Sequence, residues 1–217
     1  MTPNHKHSSE LDYIMVNNPP ISKKEIANNQ GQFDWRYGET NSNVILENSK
    51  LNVQLLRYIV MSADGDYLYD AFSIRESKNN SVILVRNQEH EIGLIWEWRP
   101  IPEKWFWACP RGFGDPEDED NIATAKREML EEIGNFKVKN TRKLGSLFQN
   151  TTFYENPVGL VLLDVEEVDA KISQEEGIMD FKFYSKEELI EMIRGDKIED
   201  TFTLSAIMRY FAFANNS

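Results

Sequence analysis

Residues 111–134 read RGFGDPEDEDNIATAKREMLEEIG, an acidic loop with two glycines that leads into a helical pattern. Asp120 is a natural N-cap and Gly134 a natural C-terminal stop, so we expect a helix from about Asn121 to Ile133. Hydrophobic residues recur there at three- and four-residue spacing: Ile122, Ala125, Met129 and Ile133. The helix is therefore expected to have one apolar side and one acidic side.

The acidic side carries the carboxylates of Glu128, Glu131 and Glu132. Like charges three or four residues apart destabilise a helix, and anions near its C-terminus are disfavoured by the helix dipole. Arg127 can pair with Glu131 at i+4, but one guanidinium cannot neutralise three carboxylates. Two interpretations follow: a solvated helix face, the usual fate of a charge run, or a site for a hard divalent cation such as Mg²⁺ or Mn²⁺.

The flanking residues favour the cation site. Residues 110–135 (PRGFGDPEDEDNIATAKREMLEEIGN) resemble the signature of the Nudix hydrolase superfamily, which is a Gly, a Glu and then Arg-Glu-apolar-X-Glu-Glu-X-Gly at set spacing. Glu119 lies eight residues before Arg127, as that pattern requires. Gly112 lies seven residues before Glu119 instead of six, which indicates a one-residue insertion in the loop, and Asn135 replaces an apolar residue. Neither departure touches a carboxylate.

The resemblance implies a site that binds Mg²⁺, with Mn²⁺ as a substitute. Its metal-site residues would be Glu128, Glu131, Glu132 and Glu119, together with the backbone carbonyl of Arg111. Arg127 would orient a carboxylate there. Independently of the resemblance, Gly112 and Gly114 suit a backbone that approaches the helix closely, because glycine has no Cβ and tolerates positive φ.

Such a site suits hydrolysis of a diphosphate linked to another group, and this reaction needs a general base. The resemblance to the ADP-ribose pyrophosphatase branch, in which a glutamate of a late loop often serves, places Glu176 first and Glu175 second. Glu155, in the loop NTTFYENP, is the third candidate. A solvated loop is the alternative for each of them.

Two further segments resemble ADP-ribose and sugar-nucleotide pyrophosphatases: GLIWEWRPIPEKWFWACPRGFGD at 93–115 and EELIEMIRGDKIEDTFTLSAIMRYF at 187–211. Arg99 is then a candidate phosphate contact, because a guanidinium binds phosphate bidentately, and an ion pair with Glu97 or Glu103 is the alternative. Gly112 and Gly114 would also border the substrate. The aromatic candidates for holding a base, each of which could instead pack in the core, are Trp35, Trp98 and Phe153.

The rest of the chain predicts an α+β domain. NVQLLRYIVM and YLYDAFSIRE, separated by residues 63–66, indicate a β-hairpin. Further strands are predicted at 81–86, 93–98, 104–109, 143–149, 158–165 and 181–184, and closing helices at 186–194 and 201–213. The resemblance implies a Nudix-type α/β/α sandwich with a mixed sheet and an N-terminal antiparallel β extension. We expect an N-terminal arm, partly irregular, over residues 1–50 and a Nudix hydrolase domain over 51–217 that includes the hairpin.

Composition limits the partners. The formal net charge of −12 and the absence of a basic stripe argue against nucleic acid. The polar N-terminus and the lack of about 18 consecutive apolar residues argue against a signal peptide and a membrane span, so a cytoplasmic protein is expected. The single cysteine, Cys109, is expected to be buried and inert. Relatives often dimerise by exchanging N-terminal segments, so the resemblance implies a homodimer in which the arm completes the partner's site.

The resulting expectation is Mg²⁺-dependent hydrolysis of a nucleoside diphosphate linked to another moiety, with ADP-ribose or a related sugar nucleotide as substrate. Two alternatives stay open. A house-cleaning nucleoside triphosphate pyrophosphohydrolase would share the acidic helix, although the long N-terminal region and the closing helices favour the first interpretation. A non-catalytic Nudix-like ligand sensor would be favoured by lost carboxylates, and this helix retains them.

Overall fold

Ten strands and three helices form the part of the chain that this computed structural model describes, namely residues 35–48, 50–62, 67–174 and 177–214. The chain divides into two units by its internal contacts. One unit contains the residues up to Arg75 together with Asn150–Glu155, and the other contains Glu76–Gln149 and the residues from Asn156 onward.

The first unit is built on a three-stranded sheet in which β2 (Leu51–Ser62) lies between β1 (Trp35–Glu47) and β3 (Tyr67–Glu76). β2 and β3 are the two strands expected of the hairpin, and its turn lies outside the described residues. β1 was not expected, because the run WRYGETNSNVILE lacks strict alternation. It forms a strand by antiparallel pairing along β2, and the Asn48 side chain accepts hydrogen bonds from the backbone N–H groups of Lys50 and Leu51 at the turn.

The second unit is built on a seven-stranded sheet with the order β10-β5-β4-β9-β8, to which β6 adds beside β5 and β7 beside β4. β4 and β9 run parallel and the other neighbouring strands run antiparallel, so the sheet is mixed, as predicted. Its strands are β4 (Ser81–Arg86), β5 (Ile92–Arg99), β6 (Lys104–Ala108), β7 (Arg111–Gly112), β8 (Gly134–Leu147), β9 (Val158–Ala170) and β10 (Ile178–Tyr184).

Helices cover both faces of this sheet and confirm the α/β/α sandwich. One apolar cluster joins α1 (Asn121–Ile133) to one face through Ala125, Met129 and Ile133. The other cluster joins α2 (Lys186–Arg194) and α3 (Thr201–Ala214) to the opposite face. Because strand side chains alternate between faces, Leu94 of β5 belongs to the second cluster and its neighbour Ile95 to the first.

The sequence signals at the ends of α1 are confirmed. The Asp120 side chain accepts hydrogen bonds from the backbone N–H groups of Ile122 and Ala123, as an N-cap does. Gly134 has a φ of 102°, a conformation that favours glycine, and the chain turns there directly into β8. Cys109 is buried as expected, and burial raises the pKa of its thiol to about 12. None of the described helices is long and apolar enough to cross a membrane.

Candidate metal and active site

The three glutamates of α1 differ in how far they are buried. Glu132 is only 8% exposed, and its carboxylate accepts a hydrogen bond of 3.2 Å from the backbone N–H of Arg111 in β7. Glu128 is also largely covered, whereas the side chain of Glu131 is 51% exposed. Glu128 and Glu132 therefore face the short strand β7, and Glu131 faces solvent.

A fourth carboxylate, that of Glu97 on β5, joins this group and was not predicted as part of the metal site. Glu97 is 3% exposed and shares the α1-facing side of its strand with Ile95. Burial, followed by the negative charges of Glu97 and Glu128, holds the pKa of Glu132 well above its usual range. Burial also raises the pKa of Glu97, despite the positive charges of Arg99 and Arg111. The sequence offered no local signal, because Glu97 reaches α1 only through the folding of the sheet.

Arg127 joins α1 to the preceding loop. Its guanidinium donates hydrogen bonds to Glu128 and Glu131, at 2.8 and 2.9 Å, and to the carbonyl oxygen of Phe113 at 2.7 Å. It also pairs with Asp118 at 2.9 Å and with Asp115 at 3.4 Å. Although burial works against its charged form, the hydrogen bonds to Asp118 and Glu128 raise the pKa of Arg127. Arg127 thus holds the carboxylates of Asp118, Glu128 and Glu131, and its role at a metal site stays a prediction.

Of the two loop carboxylates that pair with Arg127, Asp118 makes the shorter contact. The hydrogen bond from Arg127 lowers the pKa of Asp118, and Asp118 also accepts from the Thr124 hydroxyl at 3.0 Å. Glu119, which sequence spacing placed at the site, has an exposed side chain. The place of Glu119 at the metal site therefore stays a prediction.

Gly112 and Gly114 both lie where a side chain would collide with the protein. A Cβ on Gly112 would overlap the carboxyl group of Glu128, and one on Gly114 would overlap the backbone carbonyl of Lys78. Gly114 also donates its N–H to the Asn80 side chain at 3.0 Å. The close approach to the helix expected of both glycines is therefore present at Gly112, whereas Gly114 approaches the backbone of Lys78. Neither glycine is among the described residues with positive φ, so absence of the Cβ is the reason for glycine at both positions.

Two further arginines near the site, Arg99 and Arg111, also make ion pairs. Arg99 holds Glu97 through two contacts of 2.9 and 2.7 Å, the structural pairing that was the alternative to a phosphate contact. The Arg111 side chain pairs with Asp200 at 2.7 Å and lies 3.7 Å from Glu97. Positive charge thus lies beside the buried carboxylates.

The other predicted site residues lie in several different parts of the chain. Trp98 is 40% exposed and contacts the edge of Trp105, with 5.6 Å between ring centroids. Phe153 and Glu155 belong to the first unit, where Glu155 accepts from the Arg75 guanidinium at 2.8 Å. Three predicted positions cannot be placed in the site, since Glu175 and Glu176 lie outside the described residues and Trp35 is described only as the start of β1.

The donor chemistry of Glu97, Glu128 and Glu132 fits a hard divalent cation. Mg²⁺ and Mn²⁺ prefer carboxylate oxygens, and a cation would relieve the repulsion that raises the pKa of Glu132. Within the described ranges, no three Asp, Glu, His or Cys side chains are already arranged to hold a metal ion. Arg127 accounts for part of this, because it holds Glu128 and Glu131 in ion pairs.

A cavity of about 690 Å³ opens beside the C-terminal end of α1. Leu130 and Glu131 of the helix line one side, and residues 171–174 of the loop after β9 line the other. Its volume falls in the range of sites for small molecules.

Comparisons with known proteins identify the family of the chain and its fold. The family model of the NUDIX domain matches residues 77–204, more than half of the chain. Among 249 matching chains of solved structures is the crystal structure of an ADP compounds hydrolase, with a TM-score of 0.65 and 14% sequence identity. The match covers 82% of this chain and 94% of that one. No curated protein matches the sequence.

Proposed function

The chain belongs to the NUDIX domain family, and from that premise we propose that it cleaves the pyrophosphate bond of a nucleoside diphosphate linked to another moiety. It is a Nudix hydrolase. The proposed cofactor is Mg²⁺, and the proposed substrate is ADP-ribose or a related sugar nucleotide. The observation that carries the proposal is the buried Glu132 carboxylate, held by the Arg111 N–H and crowded by Glu97 and Glu128.

A bound Mg²⁺ would supply a polarised water and neutralise charge on the phosphate oxygens. Glu128 and Glu132 would hold it, with Glu131 and the carbonyl oxygen of Arg111 as further proposed donors. In the reaction, a water oxygen bonds to one phosphorus, the bond from that phosphorus to the bridging oxygen breaks, and the water proton passes to a base. Arg127 fixes the α1 carboxylates during these steps, because it already holds Glu128 and Glu131.

Glu176 is the proposed base, with Glu175 and Glu155 as alternatives. Support comes from the residues that flank the first two. The Ser173 N–H donates to the carbonyl oxygen of Glu132 at 3.0 Å, and the Trp98 N–H donates to that of Gly177 at 3.1 Å. These hydrogen bonds connect the residues on either side of Glu175 and Glu176 to α1 and to β5.

The preference for an ADP-containing diphosphate has two supports. One solved structure that shares this fold over most of its length is that of an ADP compounds hydrolase. The cavity beside α1 also has a volume that suits a nucleotide and contains Glu131, a proposed metal ligand. Arg99, whose side chain is 36% exposed, is the proposed phosphate contact, and it would exchange part of its pairing with Glu97 for the substrate.

The test is turnover of ADP-ribose, sugar nucleotides, dinucleotides and nucleoside triphosphates with Mg²⁺, with products separated by chromatography. We expect the highest kcat/KM for ADP-ribose or a sugar nucleotide and release of two phosphate-bearing products. A preference for triphosphates would favour the house-cleaning alternative. No turnover of any compound by folded protein, with either Mg²⁺ or Mn²⁺, would contradict the proposed enzymatic reaction.

The Glu132→Gln variant gives the residue-level control for this test. Loss of a metal-binding carboxylate should reduce kcat by several orders of magnitude while the circular dichroism spectrum stays unchanged. The matched substitution Glu187→Gln changes an exposed residue in the first turn of α2 and should keep full activity. Near-normal activity of Glu132→Gln would exclude Glu132 as an essential metal ligand.

A further inference from the structure

The short segment from Cys109 to Gly112 positions two of the proposed metal-binding carboxylates. The backbone N–H of Arg111 donates to Glu132, and Gly112 lies directly against the carboxyl group of Glu128. On its other edge the segment pairs with β4, through Arg111 opposite Val82 and through the Ile83 N–H to the Pro110 carbonyl at 2.9 Å. A small displacement of this segment would therefore move the donor that holds Glu132.

Residues at the beginning of α3 bind the segment from Cys109 to Gly112 on both sides of Pro110. The Cys109 N–H donates to the Thr203 hydroxyl at 2.9 Å, and that hydroxyl donates to Asp200 at 2.7 Å. The Arg111 guanidinium donates to the other Asp200 oxygen, also at 2.7 Å. Asp200 is itself fixed by the backbone N–H of Thr203, and Arg111 stacks on Phe202 with 4.6 Å to the ring centroid.

The ion pair between Arg111 and Asp200 is largely buried. The Arg111 and Asp200 side chains are 18% and 14% exposed, so water screens their attraction far less than at the surface. Burial works against the charged form of Asp200, but attraction by Arg111 lowers the pKa of this carboxyl. The ion pair holds α3 against the segment that carries the Glu132 donor.

We infer that the Arg111 side chain, anchored by Asp200 and Phe202, is a positioning residue that sets the affinity of the site for a divalent cation. This inference rests on the proposed function, because it assumes that Glu132 binds metal. Arg111 acts through its own backbone N–H: its guanidinium fixes the strand, and the strand fixes the carboxylate. Partners that orient ligands in this indirect way typically change metal affinity by about 10–100-fold when removed.

The direction in which metal affinity changes in the Arg111 variants distinguishes a positioning role from a simple effect of charge. Removal of a positive charge near a cation site strengthens cation binding if charge alone matters. Loss of a positioning contact weakens it. Arg111→Met and Arg111→Lys therefore form an informative pair, because lysine keeps the charge but not the planar, forked geometry that pairs with Asp200 and stacks on Phe202.

The chain offers a matched control in Arg86, at the opposite end of β4. Arg86 pairs with Asp164 at 2.6 Å, their side chains are 22% and 21% exposed, and Arg86 also lies over an aromatic ring, 5.6 Å from the centroid of Tyr210. Arg86→Met removes an ion pair of similar burial from the same sheet without touching the proposed site. It should change metal affinity by less than about twofold, as expected of a distant residue.

The experiment measures Mn²⁺ binding to the full chain without substrate, from the electron paramagnetic resonance signal of free Mn²⁺. We expect Arg111→Met to weaken binding by about tenfold or more, Arg111→Lys to weaken it less, and Asp200→Asn to act in the same direction as Arg111→Met. Thermal unfolding checks that each variant is folded. If Arg111→Met does not fold, Arg111→Lys and Asp200→Asn carry the same test, since each breaks the same contact.

The outcomes distinguish this inference from the proposed function. Unchanged or tighter Mn²⁺ binding by the Arg111 and Asp200 variants, together with loss of binding by Glu132→Gln, would overturn the positioning role alone. An equal loss in Arg86→Met would also overturn it, because the effect would then follow general destabilisation. No Mn²⁺ binding by the unmodified chain, or equal binding by Glu132→Gln, would overturn both the metal site and the inference built on it.

Discussion

At the scale of single residues, the glutamates of α1 differ in how deeply their carboxylates are buried. Glu131 is half-exposed and pairs with Arg127, so its charge is easily tolerated. Glu132 is buried and faces the negative charges of Glu97 and Glu128. The charge of Glu132 is therefore strongly unfavourable in the metal-free protein, and a bound cation would relieve it.

This raised pKa predicts how the stability of the metal-free protein depends on pH. As the pH rises past the ordinary carboxyl value, the unfolded chain loses its Glu132 proton first, while the folded protein retains it. Stability therefore falls with rising pH until the raised folded pKa is passed, and the full penalty remains above it. Glu132→Gln should remove this part of the decline and be the more stable protein at neutral pH.

The measurement is urea unfolding in the presence of a chelator from about pH 5 to pH 8. The difference in unfolding free energy between Glu132→Gln and the unmodified protein should grow as the pH rises. A difference that is constant over this range would show that Glu132 has no raised pKa in the folded state.

Arg127 gives a second prediction at this scale. Arg127→Met leaves Asp118, Glu128 and Glu131 without their shared cation, so we expect a loss of roughly 2 kcal/mol in unfolding free energy in the absence of metal. The control is Lys126→Met, one residue earlier on an exposed position of the helix. Equal unfolding midpoints in urea for the two variants would argue against Arg127 as a structural centre.

At the scale of elements, the site depends on the close approach of β7 and α1. A Cβ added to Gly112 would meet the end of a side chain, the Glu128 carboxyl group. A Cβ added to Gly114 would meet the backbone carbonyl of Lys78. A flexible side chain can move aside and a backbone carbonyl cannot. The two glycines therefore have different consequences, one for the metal site and one for the fold.

The alanine variants of these glycines test this difference. Gly112→Ala should fold with a near-normal Tm but bind Mn²⁺ more weakly, since the new Cβ displaces Glu128. Gly114→Ala should lower Tm strongly, because it collides with the backbone and disturbs the hydrogen bond from the Gly114 N–H to Asn80. Thermal unfolding and Mn²⁺ titration are the two measurements. The reverse pattern would show that Gly114, and not Gly112, borders the metal site.

At the scale of the whole molecule, the family match and the second unit begin at neighbouring residues. The match begins at residue 77, and the second unit begins at Glu76. The sequence had placed β2 and β3 in the Nudix domain, with a boundary at residue 50, but the structure groups both strands with β1 in one sheet. The boundary expected at residue 50 thus stays a prediction, and the mixed sheet with its three helices is the part that carries the proposed site.

The association state is the prediction that belongs to this scale. From the family resemblance we expect a homodimer in which the N-terminal region takes part. Size-exclusion chromatography with light scattering should give about twice the chain mass of 25.3 kDa. A monomer under assay conditions, with full activity, would exclude a role for the partner in the active site.

The sequence by itself determined the acidic helix and the family of the chain. Helical periodicity, the Asp120 cap and the Gly134 stop are local signals, because they depend on residues within a few positions of one another. The signature spacing around Arg127 then indicated a metal-dependent hydrolase family, and the NUDIX match confirmed the family.

Only the tertiary structure decided which side chains accompany the helix. Glu97 comes from β5, Asp118 of the preceding loop pairs with Arg127, and Arg111 pairs with Asp200. β1 likewise forms by pairing with β2 and not by its own pattern. These contacts depend on strand register and burial, which arise when distant segments pack together, and no local spacing encodes them.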